Sequence, residues 1–450
     1  MQANQNDFTV GTVRQRIVQQ AVPLTLAQVV QLLYNIVDRI YIGHLPEVGE
    51  LALTGLGVTF PVIVIIAAFT ALFGTGGTPL FSIARGQGDE KEAEGIIGNV
   101  FALLTLSSAV LFVLCYMFRR PILLAFGASG ESVVYADQYL QVYLFGTLFS
   151  MLVTGMNGYI NAQGFPKFGM ATTIMGAVIN IVLDPLFIFA FGMGVRGAAL
   201  ATVISQAISA VWVLRFLTGR RAILRLKKET IRIDWQRTKR IMSLGLPGFV
   251  MQGTNSLVQI VCNSQLQLAG GAEFGDLYVR VMTVIGSVRE ILSLPVGGIS
   301  NGAQPVLGFN YGAGRNDRVK EGVRFTALLG VVYTLLAWVV VMLIPRQLIG
   351  IFSDDAQTIA VGARMMNIYF FGFVFMSFQF VGQSTFQALG KAKKAIFFSL
   401  FRKAMIVVPL TVLLPVWFGV EGVFLAEPIS NAVGGLACFV TMWLTVYRRL

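Results

Sequence analysis

The sequence has 450 residues, 55% of them hydrophobic and only 12% charged, with a mean hydropathy of +0.72. This composition excludes an ordinary soluble domain and points to an all-α polytopic membrane protein. The net charge of +12 does not signal nucleic acid, because the basic residues flank apolar spans, where they suit an anionic lipid surface.

At ~20 apolar residues per bilayer crossing, the runs resolve into twelve expected transmembrane helices. They lie near residues 17–42, 52–81, 96–118, 138–160, 168–191, 195–217, 243–268, 277–308, 323–345, 364–387, 395–417 and 420–446. The polar segment before them lacks the basic region and cleavage site of a removable signal, so helix 1 is expected to direct insertion. Helix 1 carries Tyr34 and Asp38, with His44, the single histidine, at its outer end. Helix 4 holds Tyr143 and Asn157, helix 5 holds Asn180 and Asp184, and helix 6 holds Thr202. A basic stretch from Arg215 to Arg240 follows. Its amphipathic piece, Ile231 to Arg237, is expected either to lie on the inner leaflet or to act as a solvated tether. Helix 7 then offers Gln252 and Asn255, helix 8 Met282, Arg289 and Glu290, helix 11 Arg402 and Lys403, and helix 12 Glu427.

The second six helices repeat the first at an offset of about 225 residues: the stretch Gly194 to Ser205 returns as Gly419 to Ser430, and Ala162 to Lys167 as Ala388 to Lys393. A duplicated apolar bundle implies two pseudo-symmetric six-helix lobes, 1–217 and 241–450, joined by a cytoplasmic linker, 218–240, and facing each other across a central path. Most of the 34 basic residues fall near the N-terminus, in the loops after even-numbered helices and at the C-terminus, whereas 43–50 and 270–276 contain none. Both termini are therefore expected on the cytoplasmic side of the plasma (inner) membrane.

Several chemistries are disfavoured. No Gly-x-x-x-x-Gly-Lys-Ser/Thr loop is present for ATP hydrolysis, and Gly192 to Gly197 matches a dinucleotide fingerprint only in letters, because it follows a helix rather than a strand. One histidine cannot build a histidine-clustered metal centre. Cys115, Cys262 and Cys438 sit inside helices as small apolar side chains rather than as a disulfide framework. Neither enzymatic activity nor a resident cofactor is expected, and the chain is expected to act as a monomer.

Ionisable groups inside a bilayer cost roughly 2.5–3.5 kcal/mol each on insertion scales, which marks them as candidates. Asn180 and Asp184 are four residues apart and share a helix face. A rise of ~1.5 Å per residue places them, Asp38 and Thr202 at similar depth in the outer half of the membrane. Two carboxylates, an amide oxygen and a hydroxyl suit Na⁺ or a shared proton, although Asp38 beside Arg39 and Asp184 before Pro185 also admit structural roles. In the second copy Thr202 becomes Glu427, and Asn180 and Asp184 become apolar. Arg289, Glu290, Arg402 and Lys403 are new there. Glu290 or Glu427 is expected to meet Arg402 or Lys403, as a structural clamp or as a second site for protons or substrate. Tyr34, Tyr143, Gln252, Asn255 and Met282 belong to an aromatic, amide and methionine wall that suits organic cations or packing.

Four stretches carry a family resemblance: Asn35-Ile-Val-Asp38-Arg-Ile-Tyr-Ile-Gly43, Asn157-Gly-Tyr-Ile-Asn-Ala-Gln-Gly164, Asn180-Ile-Val-Leu-Asp-Pro185 and Gly197-Ala-Ala-Leu-Ala-Thr-Val-Ile-Ser-Gln206. Across essentially the whole chain the sequence resembles the multidrug and toxic compound extrusion (MATE) family. The resemblance implies an antiporter that expels cationic, amphiphilic small molecules in exchange for H⁺ or Na⁺, with the cation site at Asp38, Asn180, Asp184 and Thr202 and Asn157 nearby. One branch of that family has acidic residues on helices 7 and 10. Here the helix 7 position is Asn255, and helix 10 offers Met376, Ser377 and Gln379, so the chain looks closer to the DinF-like and MepA-like bacterial branch. A lipid-linked oligosaccharide flippase of the same wider superfamily is the alternative.

Overall fold

The computed structural model describes residues 6–45, 48–126, 130 and 132–450. Almost all of these are helical, and none is in a strand. The long helices are α1 (Val13–Gly43), α2 (Gly49–Gly86), α3 (Glu90–Met117), α4 (Ser132–Ala162), α5 (Pro166–Ala190), α6 (Val195–Thr218), α7 (235–270), α8 (272–312), α9 (Asn316–Leu343), α10 (Ala356–Phe370 with Phe373–Ala388), α11 (Ala392–Phe418) and α12 (Val420–Arg449). Each of the twelve expected spans coincides with one of them. Among the described residues nine are long and apolar enough to cross a membrane, and α10, bent by 45°, makes a tenth. The remaining two, α7 and α8, meet at Gly271, whose φ of 64° favours glycine.

The chain divides into two compact units. The first holds Leu26–Phe249 with the segment before Gly11, and the second holds Gly11–Thr25 and Val250–Leu450. Each unit thus includes the opening turns of a helix whose remainder belongs to the other. In the first unit, α7 begins flush against α2: a Cβ on Gly245 would overlap the Leu72 carbonyl, and one on Gly76 would overlap the Ile241 carbonyl. Phe69 meets Phe249 edge-on at 5.3 Å. In the second, α1 begins against α8, where a Cβ on Gly298 or Gly302 would overlap Thr25 or Ala21. Small residues permit this backbone approach, which supplies the packing that apolar side chains alone do not provide in lipid.

The linker is fastened to the first unit, so it is not a free solvated tether, and Ile231, Ile233 and Trp235 of its amphipathic piece are exposed. Lys227 pairs with Glu94 at 2.6 Å, Arg237 and Arg240 converge on Glu92 at 2.9 and 3.0 Å, and the Leu224 N–H donates to Gln163 Oε1 at 2.9 Å. Ile231–Asp234 is irregular, because Asp234 caps the helix that begins at Trp235 by accepting from the Arg237 N–H at 2.9 Å. That bond holds the Asp234 carboxyl below the usual carboxylate range, so the cap weakens only as pH falls through this lowered value. Cys115, Cys262 and Cys438 are all free thiols.

Candidate functional site

Helix α5 sets up the first polar cluster. Its regular part ends at Pro185, and the π turn Leu186–Ala190 follows. Asp184 and Asn180 lie one turn apart on a face directed into the unit, and both are buried, as is Thr202 of α6. In the orientation that satisfies both ends of the Asn180 amide, its nitrogen donates to Asp184 Oδ2 at 3.0 Å and its oxygen accepts from the Thr202 N–H at 3.2 Å. The Thr202 hydroxyl donates to the Ala198 carbonyl at 3.0 Å.

Helix α1 completes the cluster. Its Asp38 carboxyl neighbours that of Asp184, and Asp38 Oδ1 is buried without a hydrogen-bond partner. Tyr34, a turn earlier, stands beside Thr202, and Tyr139 and Tyr143 of α4 stand close to Asp38. No ion pair reaches Asp38 or Asp184 among the described residues; Arg39, exposed, is the base that acts on Asp38. Two adjacent carboxyls without a paired base resist joint ionisation, so this arrangement can accept one proton or a small monovalent cation. The buried amide and hydroxyl supply further oxygen ligands for the latter.

The structure brings Asp38, Asn180, Asp184 and Thr202 together but leaves Asn157 elsewhere. The Asn157 amide donates to the Gly169 carbonyl at 3.1 Å, and Gly169 lies roughly 16 Å along α5 from Asn180. His44 bonds through Nδ1 to the Ile40 carbonyl at 2.8 Å and is separate from the cluster. The residues expected to line a path divide: Tyr34 and Tyr143 belong to the first cluster, Gln252 is half-buried and Asn255 exposed on α7, and Met282 packs against the apolar core of the second unit.

The second unit contains the other polar cluster. Arg402 and Lys403 lie on the π turn Phe401–Val407 of α11, and Glu427 lies one turn before Asn431 on α12. Glu427 Oε1 is 3.1 Å from Arg402 Nη1, 3.7 Å from Lys403 Nζ and 3.7 Å from Arg289 Nε. Arg402 Nη1 also donates to Asn431 Oδ1 at 2.9 Å, and Arg289 Nη1 to the Tyr369 hydroxyl at 3.5 Å. Glu427 is therefore the carboxylate that meets the bases. Glu290 is exposed and makes no ion pair with these bases among the described residues, because neighbouring residues on a helix point about 100° apart; its charge acts on the adjacent Arg289.

The two clusters occupy equivalent places in the repeat. Thr202 corresponds to Glu427, Gln206 to Asn431 and Tyr143 to Tyr369, and helix α4 breaks at Leu144–Gly146 where α10 bends. Tyr139, Tyr369 and Asn431 were missed in the sequence, although the offset applied to Tyr143 and Gln206 points to the last two.

The MatE family model matches residues 23–186 and 238–413. Over 425 residues the chain is 23% identical to the multidrug export protein MepA of Staphylococcus saprophyticus, covering 94% of this chain and 92% of that one. Over 443 residues it is 25% identical to the probable multidrug resistance protein YpnP of Bacillus subtilis, covering 96% of each. A crystal structure of MATE in the bent conformation superposes with a TM-score of 0.91 at 23% identity, over 99% of this chain and 98% of that one. An outward-facing multidrug resistance MATE family transporter does so with 0.91 at 23%, over 98% of each chain. These matches run through both halves of the duplicated bundle, and the chain belongs to the MatE family, the multidrug and toxic compound extrusion family that its motifs resemble.

Proposed function

We propose that this chain is a multidrug exporter that drives cationic, amphiphilic small molecules outward in exchange for H⁺ or Na⁺. The adjacent carboxyls of Asp38, half-buried with a buried Oδ1, and Asp184, fully buried, have no paired base and carry the reading, and the names of the export relatives support the cargo. Asp38 and Asp184 take the ion, Asn180 and Thr202 orient the site, and Tyr34 and Tyr143 face the cargo. Ion and cargo must prefer different conformational states for exchange to occur. In this reading the two six-helix halves, joined by 218–240, alternate access in the inner membrane with both termini on the cytoplasmic side.

The test is dye efflux from proteoliposomes under separately imposed pH and Na⁺ gradients. The gradient that drives efflux in the wild type identifies the coupling ion. Asp38→Asn is expected to abolish gradient-driven efflux while the protein stays monodisperse; unchanged efflux in that variant overturns the assignment. Absence of dye export together with rescue of a cell-wall defect would favour the flippase alternative.

A further inference from the structure

The exchange proposed above uses the carboxyls of the first unit and gives no task to Arg289, Arg402 and Lys403. Three cations converge on one oxygen of one carboxylate. Their other side-chain hydrogen-bond partners, Asn431 and Tyr369, are neutral. Of the other acids, Glu290 acts on Arg289 only from an exposed position, and Glu421 pairs with Arg364. By formal charge the three bases exceed Glu427 by two inside an apolar bundle, where charge without a counterpart is strongly unfavourable.

The excess has a direction. The Arg402, Lys403 and Glu427 side chains are 10%, 5% and 6% exposed, whereas that of Arg289 is 29% exposed. Arg289 Nε is buried and faces Glu427 Oε1 at 3.7 Å, too far for a hydrogen bond, so Glu427 leaves the donors of this partly exposed guanidinium unfilled. Guanidinium donors match the oxygens of carboxylate and phosphate. Arg402 lies roughly 15 Å into α11 from its start at Ala392, about midway along the helix, beyond the interfacial depth at which lipid headgroups rest.

We propose that Arg289, backed by Arg402 and Lys403, forms a binding site for the oxyanion of an amphiphilic solute, a carboxylate in the simplest case. Glu427 and Tyr369 of this site correspond in the repeat to Thr202 and Tyr143 beside the Asp38–Asp184 pair, and its charge is of the opposite sign. A zwitterionic or acidic cargo would then be accepted as well as a cationic one. This extends the transport reading but is tested by binding, so the Asp38→Asn efflux result and this one can fail separately.

Rhodamine B and its ethyl ester share one cationic ring system and differ in a free carboxylate. Fluorescence anisotropy with the full chain in phosphatidylcholine nanodiscs should show rhodamine B bound about tenfold more tightly than the ester, the scale of one charge-assisted hydrogen bond. Arg289→Gln should erase that preference while leaving ester binding intact, and Arg289→Lys should keep part of it. Equal affinity for the two dyes in the wild type, or a full preference in Arg289→Gln, overturns the proposal. If Arg289→Gln does not yield monodisperse protein, Lys403→Gln is judged by the same criterion. Adding phosphatidylglycerol to the nanodiscs should leave the preference unchanged; its loss would assign the oxyanion to lipid and overturn the solute source.

Discussion

Glu427 answers to three cations, while Asp184 answers to another carboxyl, and these opposite imbalances set different sensitivities to substitution. Removing the single carboxylate leaves Arg289, Arg402 and Lys403 unpaired in a buried place. Glu427→Gln should therefore cost about 3–5 kcal/mol and lower the thermal midpoint in detergent substantially. Arg289→Gln removes surplus charge and should shift that midpoint little; equal losses in the two variants would show that charge balance does not govern the cluster. Most of these residues were legible in the sequence because charge stands out in apolar runs. Asp38, Asp184, Arg402, Lys403 and Glu427 are of this kind, and Asn180 follows from its spacing to Asp184. Tyr139 and Tyr369 were not legible, since tyrosines are ordinary in such helices until a neighbour gives them a role. The choice between Glu290 and Glu427 was not legible, because charge is visible in sequence but its direction depends on how α8 is rotated.

At the scale of elements, apolar runs in the sequence located each long helix, and among the described residues ten of these are apolar enough to span if bent α10 is counted as one. The runs gave no sign that α1 and α7 each divide their length between two units. That division rests on close approaches of backbone to backbone, to which a glycine in a glycine-rich chain does not call attention. Gly245 is such a glycine: a Cβ there would overlap the Leu72 carbonyl, whereas one on Gly253 of the same helix would meet nothing within 4 Å. Gly245→Val should force α7 away from α2 at a cost of about 1–3 kcal/mol or more and reduce the monodisperse fraction on size exclusion. Gly253→Ala should behave as wild type. Tolerance of valine at 245 would mean that this contact does not hold the unit together.

For the whole molecule, duplication supplies one frame twice and charge makes the copies different: acids without a base in the first unit, bases in excess in the second. The frame in turn depends on the exchanged helix starts, since the first unit includes residues up to Phe249, beyond the linker. Residues 221–249 contribute the Glu92 pairs with Arg237 and Arg240, the Asn99 amide bond to the Asp234 carbonyl at 3.0 Å, and the Phe249 contact with Phe69. A fragment that stops at residue 220 keeps all six of its expected spans but leaves the α7-facing side of α2 bare, with Gly76 and Leu72 unopposed. A fragment extended to residue 252 restores that cover. The longer fragment should therefore elute from size exclusion in detergent with a several-fold larger monodisperse fraction. Equal behaviour of the two would mean that α2 and α3 hold their positions without the linker and the start of α7, and that the unit ends where its sixth span does.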